Sequence, residues 1–150
     1  ARQGKAQDWP GGYGIETLAS YGIEGMDAVP ERHWTFLARC VDAYESDAHL
    51  FVHANAYPDH DLLDNPPYML RWERIRPGDP PHESGKTLIC GHTSQKDGRP
   101  LDLGHALCID TYAHGDGWLT CLDVHTRQVW RANQAGQVEQ TWLDEISKPG

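Results

Sequence analysis

The sequence predicts a mixed α/β fold in which one clear helix is followed by two sets of strands. Three observations support this prediction. An amphipathic segment begins at Pro30, two short apolar runs each end at a histidine, and apolar runs alternate with turns from residue 87 onwards. A chain of 150 residues can bury a core of its own, so we assign residues 1–150 to a single domain.

The first part of the chain predicts helices. A short helix is expected over residues 15–21, ended by Gly22, after a stretch rich in glycine and polar residues. A second helix begins at Pro30, because proline and an acidic residue suit a first helical turn. We expect it to end near Ser46. Its predicted apolar stripe consists of Trp34, Phe36, Leu37, Cys40, Val41 and Tyr44.

Short apolar runs predict strands in the rest of the chain. The predicted strands cover residues 48–53, 87–91, 105–110, 118–124 and 127–132. The link Val124–Arg127 is short enough for a hairpin, which would make the last two strands antiparallel. Residues 68–75 read as a short helical or extended piece, and a last helix is expected around residues 138–146.

The net charge and the length of the apolar runs limit the kinds of partner that we expect this protein to bind. The formal net charge of −9 argues against a nucleic-acid duplex, and no apolar run approaches the length that a membrane span needs. The cysteines form no CxxC pair, so nothing indicates a zinc finger, and we expect a reducing, cytoplasmic setting. The four cysteines are Cys40, Cys90, Cys108 and Cys121.

Two histidines stand where chemistry is expected. His53 ends the run Leu50–Val52, and His92 follows the run Leu88–Cys90 after a single glycine. Open α/β sheets place their functional groups at the carboxyl ends of strands. Neutral imidazole is the commonest nitrogen ligand of metals, so both side chains are candidates for one metal, although a lone histidine at a strand end is more often bonded to backbone.

Five short motifs, in order, carry a family resemblance. They are Phe51-Val52-His53-Ala54, Trp72-Glu73-Arg74-Ile75, Cys90-Gly91-His92-Thr93, Ile109-Asp110-Thr111 and Gly117-Trp118-Leu119-Thr120. Together they resemble the carboxyl half of a bacterial or phage-type serine/threonine phosphoprotein phosphatase. That family belongs to the calcineurin-like metallophosphoesterases and is related to the symmetrical diadenosine tetraphosphatases. The resemblance implies part of a two-sheet β-sandwich flanked by helices, of which this chain would be the C-terminal portion.

The resemblance also implies a chemistry. Two divalent metal ions, Mn²⁺ or alternatively Fe or Zn, would activate a water for attack on a phosphomonoester. His53 and His92 would be ligands of the second metal. An arginine near the motif Trp72–Ile75 would bind phosphate, with Arg71 preferred and Arg74 as the alternative. The substrate would be a phosphorylated protein or a small phosphoester or nucleotide.

The sequence departs from the family in its first half. It contains no Asp-x-His, Gly-Asp-x-x-Asp-Arg-Gly or Gly-Asn-His-Glu motif, which in the family supply the remaining metal ligands and the general acid. We therefore expect the chain to need a homodimer partner or the missing N-terminal half. The alternative is a non-catalytic remnant or binding module that keeps the half-fold without a complete metal centre. A smaller departure is Tyr112, which stands where the family has glycine, so we expect that turn to differ locally.

Overall fold

The structure, a computed structural model, describes residues 13–150, which form two compact units divided between Val41 and Asp42. The smaller unit contains the helices α1 (Tyr13–Tyr21) and α2 (Glu31–Arg39), joined through a short 3₁₀ turn. Gly22 takes a φ of 67° directly after α1 and ends that helix as predicted. The residues before 13, including the glycine-rich stretch, lie outside the described residues.

Helix α2 is shorter than the sequence predicted. It ends at Arg39, because Cys40 is already extended and the chain then enters strand β1 (Ala43–Glu45). Tyr44 pairs across the sheet with Phe51, so the predicted end near Ser46 was wrong. The apolar stripe is not buried either, since Phe36 is 69% exposed. Pairing between strands overrides local helical periodicity here.

The larger unit contains two sheets and two further helices. Its helices are α3 (Pro67–Trp72) and α4 (Leu143–Ile146). The strands after β1 are β2 (His49–Val52), β3 (Thr87–Cys90), β4 (Leu101–Asp102), β5 (Ala106–Cys108), β6 (Leu119–Leu122), β7 (Gln128–Ala132), β8 (Val138–Trp142) and β9 (Lys148–Pro149). The first sheet has the order β1-β2-β3-β5-β4-β9, and the second, antiparallel sheet has the order β6-β7-β8. The predicted mixed α/β class is confirmed.

Alternation along the central strands divides the core into two clusters. In β3, Leu88 and Cys90 face one cluster, which α3 and its flanking loops cover, while Ile89 faces the other. That second cluster joins the two sheets, because it packs Ile89 against Val129 of β7 and Leu143 of α4. The two sheets therefore share an apolar interior, as in a sandwich.

The end of the chain differs from its prediction. The predicted hairpin is confirmed, since β6 and β7 pair antiparallel with Leu122 opposite Val129. The helix expected over residues 138–146 is wrong in its first half: Val138–Trp142 is strand β8, and only Leu143–Ile146 is helical. The segment instead pairs along its whole length with β7, and this pairing overrides the local helical pattern.

Candidate functional site

The candidate site lies at the carboxyl ends of parallel strands. Strand β2 pairs in parallel with β3, and β3 pairs in parallel with β5. His53 directly follows β2, and His92 follows β3 after Gly91. Because neighbouring parallel strands end at the same edge of a sheet, two residues 39 positions apart are brought side by side.

The two imidazoles are in contact. The ring centroids of His53 and His92 lie 5.1 Å apart, with an angle of 61° between the ring planes. The backbone N–H of Gly91 donates to the carbonyl oxygen of His53 at 2.9 Å and ties the two strand ends together. The prediction that these histidines lie together at the sheet edge is confirmed.

His92 is held in an uncommon backbone conformation. Its φ is 61°, in the left-handed region that non-glycine residues rarely occupy. The turn is closed by the N–H of Thr93, which donates to the carbonyl oxygen of Gly91 at 2.6 Å, and the Thr93 hydroxyl accepts the N–H of Ile75 at 3.1 Å. Left-handed residues of this kind cluster at functional sites, where surrounding contacts maintain them.

One hydrogen bond fixes the proton of the His92 ring. Its Nε2 lies 3.0 Å from the carbonyl oxygen of Trp72. A carbonyl oxygen only accepts, so Nε2 carries a proton and donates it, and in the neutral form of the ring the lone pair is therefore on Nδ1. A backbone carbonyl that orients an imidazole in this way is a common outer partner of metal-binding histidines.

The surroundings favour a neutral His53. Burial is the main cause that lowers the pKa of its imidazole below the ordinary value of 6.5, and the charge of a protonated His92 lowers that pKa further. The carboxylate of Asp110 acts in the opposite direction and is the smaller effect. A neutral imidazole is the form that can donate a lone pair to a metal.

Asp110 shapes the turn beside the histidines. Its carboxylate accepts the Ser94 hydroxyl at 2.9 Å and the N–H of Tyr112 at 3.2 Å. Tyr112 has a φ of 68°, so it adopts the left-handed conformation that a bulky side chain disfavours. Gly117 makes room for this turn, because a Cβ there would lie 1.9 Å from the carbonyl oxygen of Thr111.

An open cavity of about 400 Å³ lies over the two histidines. Trp118 and Thr120 form part of its wall, and the Arg131 guanidinium lies 4.4 Å from the centre of the Trp118 ring. The sequence-predicted arginines do not line this cavity. Arg71 forms an ion pair with Asp42, and both side chains are about half exposed. The carbonyl oxygen of Arg74 accepts a hydrogen bond from the Asn55 amide.

A pair of thiols beneath the His92 turn was not predicted as part of the site. Cys90 and Cys108 are directly opposite in the β3–β5 register and are both buried in the same apolar cluster. The Cys108 Sγ also lies 3.4 Å from the carbonyl oxygens of Gly91 and Thr93. The sequence does contain a sign of this pair. Cys90 lies two residues before His92, and Cys108 lies two residues before Asp110.

The donor set fits part of a metal site. The two imidazoles supply two nitrogen donors, and no group of three or more His, Cys, Asp or Glu side chains in residues 13–150 is arranged to hold a metal ion. Since structural and catalytic sites use three or more protein ligands, further ligands would have to come from elsewhere.

Comparison with known proteins gave no match to a family model, to a curated protein or to a solved structure. None of the helices within residues 13–150 combines the length and apolar character that a bilayer-spanning segment requires.

Proposed function

We propose that this chain forms part of a metal-dependent phosphoesterase of the phosphoprotein phosphatase type, in which His53 and His92 bind the second metal. The observation that carries the proposal is the contact between these two imidazoles. They come from separate motifs and meet at the carboxyl edge of the sheet beside an open cavity. The Trp72 carbonyl orients one ring, and burial lowers the pKa of the other, which favours its neutral form.

The chemistry of the proposed site comes from two divalent cations, with Mn²⁺ preferred and Fe or Zn as alternatives, which would activate a water and stabilise the charge on the phosphoryl oxygens. The chain's own contribution is to present one Nδ1 lone pair on His92 and a neutral ring on His53. The substrate would be a phosphorylated protein or a small phosphoester or nucleotide in a cytoplasmic setting.

Phosphate binding would use Arg71, with Arg74 as the alternative. Arg71 is engaged with Asp42, but an ion pair between half-exposed side chains contributes at most ~1 kcal/mol. Replacing the Asp42 carboxylate by a phosphate as the partner of Arg71 would therefore cost little free energy. The missing ligands would be supplied by an N-terminal half of the metallophosphoesterase type or by a second copy of the chain.

One observation favours a second candidate, a non-catalytic binding module. In the described part of the chain, the two histidines have no third ligand in position to share a metal. Such a module would keep the half-fold, its sheet edge and its cavity without a complete metal centre, and it would not hydrolyse a phosphoester.

Mn²⁺-dependent hydrolysis of p-nitrophenyl phosphate by the 150-residue chain, measured with Mn²⁺ binding, separates these functions. His92→Asn is the test variant, and His114→Asn is its control because His114 is exposed and outside the cavity lining. Hydrolysis that is lost only in His92→Asn supports the phosphoesterase. A chain that does not retain stoichiometric Mn²⁺, and that gains no hydrolysis when an N-terminal half is added, supports the binding module. Inactivity of the chain alone that is reversed by adding that half supports the phosphoesterase as half of an enzyme, and hydrolysis that survives His92→Asn contradicts both.

A further inference from the structure

Within residues 13–150, strand β8 (Val138–Trp142) is an edge of the second sheet that no other strand pairs with. It pairs with β7 on one side and is the last strand in the order β6-β7-β8. The N–H of Asn133 donates to the carbonyl oxygen of Gln137, and the N–H of Leu143 donates to that of Arg127. These two bonds show which residues of β8 form hydrogen bonds to β7. They are the odd-numbered residues, so the even-numbered residues direct their backbone N–H and C=O groups away from β7.

Two large apolar side chains are exposed on this edge. Val138 is 78% exposed and Trp142 is 48% exposed, and both lie on the outer face of the sheet together with Gln140. The strand contains no lysine or proline, the residues that commonly protect an edge from pairing. Its single charge, on Glu139, is matched within the chain by Arg131 at 2.6 Å.

We propose that β8 pairs with β8 of a second copy of this chain, antiparallel and about a twofold axis at Gln140. In this register Gln140 lies opposite the partner's Gln140, and Val138 lies opposite the partner's Trp142. All three of these residues in each copy direct their backbone groups towards the partner, so the ladder continues across the axis. The result is a six-stranded antiparallel sheet built from two three-stranded sheets.

The sequence of β8 is complementary to itself in this register. Each Val138 packs against a tryptophan ring, and aromatic–β-branched pairs are favourable across antiparallel strands. Glu139 lies opposite the partner's Thr141, so no like charges face each other. Because the same patch serves both copies, the interface is isologous and closes as a dimer.

The opposite edge of the sheet is a poorer candidate. Strand β6 begins beside Trp118, whose N–H donates to the carbonyl oxygen of Thr111 at 2.8 Å, so one end of that edge is already occupied. The contact through β8 involves one strand from each copy and falls below the roughly 1,000 Å² of a stable interface. We therefore expect a reversible dimer with a Kd of roughly 10–100 μM, which corresponds to about −6 kcal/mol of binding.

Sedimentation velocity across this concentration range tests the proposal with Gln140→Pro. Proline removes an N–H that points outwards and that the β7–β8 ladder does not use, so the fold is retained and the dimer Kd rises at least tenfold. The matched control is Gln134→Pro, at the second position of the turn closed by the N–H of Gly136 to Asn133, where proline is tolerated. A wild-type chain that stays monomeric, or equal weakening in both variants, would overturn the proposal.

Disulfide trapping tests the register separately. In a Cys40→Ser, Cys121→Ser background, which removes the exposed thiols, Gln140→Cys should form a covalent dimer under oxidised glutathione because each residue lies opposite its own copy. Val138→Cys alone should not, because its opposite residue is the partner's Trp142. Efficient trapping of Val138→Cys, or none of Gln140→Cys, would show that the strands do not pair in this way.

Discussion

Replacement of Thr111 by valine tests the hydrogen bonds that hold the turn beside the candidate site. Thr111 is 1% exposed, and its hydroxyl donates to the carbonyl oxygen of Trp118 at 2.6 Å and lies 2.5 Å from the hydroxyl of Thr120. Valine keeps the shape and removes only the hydroxyl. The lost bond costs about 1 kcal/mol, and the carbonyl left without a partner costs roughly 1–2 kcal/mol more.

Thr111→Val should therefore lower the free energy of unfolding by about 2–3 kcal/mol, measured by urea denaturation at an unchanged m-value. For a chain of this length, that corresponds to a fall in Tm of roughly 4–10 °C. Thr35→Val, at an exposed position of α2, is the matched control and should stay within about 0.5 kcal/mol of the wild type.

A double-mutant cycle with Thr120→Val isolates the contact between the two hydroxyls, and we expect a coupling of at least ~0.5 kcal/mol. If Thr111→Val changes the free energy of unfolding no more than Thr35→Val does, the buried Thr111 hydroxyl does not stabilise this turn of the cavity wall.

Two further predictions concern the ionisation of the site and the thiols. In an NMR titration, the pKa of His53 should be below 6.5. The substitution His92→Asn should raise that pKa only in part, because burial is the main cause of the lowered pKa and remains in the variant. With a lowered pKa in the folded chain, His53 is protonated more readily in the unfolded chain. Its contribution to the free energy of unfolding should therefore fall as the pH drops from 6.5 through the lowered pKa. A pKa of His53 at or above 6.5 would contradict this prediction. Ellman's reagent should titrate two thiols rapidly in the native chain and two more only after unfolding, and four fast thiols would contradict the burial of the β3–β5 pair. The fast thiols are Cys40 and Cys121, and the slow ones are Cys90 and Cys108.

Sequence reasoning located the central strands and the histidine pair because both depend on local signals. The runs before His53 and His92 are short, apolar and ended by polar residues or glycine, and parallel pairing then brings their ends together. The prediction required no knowledge of the loops between them.

The errors came from segments whose structure depends on a distant partner. Residues after Arg39 continue a helical pattern, yet Tyr44 lies in a strand because β2 offers it an edge. Strand β8 likewise forms on the edge of β7. At Tyr112 the surrounding residues override a local preference. The hydrogen bond from its N–H to Asp110 and the space beside Gly117 favour a left-handed turn that the tyrosine side chain disfavours.

Titration of the chain with substoichiometric Mn²⁺, followed through the imidazole NMR signals of its nine histidines, tests most directly whether His53 and His92 share a metal. Paramagnetic broadening should be strongest for the signals of these two rings and weaker for that of His114, because it falls steeply with distance from the metal. In His92→Asn, the broadening of His53 should largely disappear. Broadening that is absent, that spreads equally over all nine rings, or that persists at His53 in the variant would contradict a shared metal site.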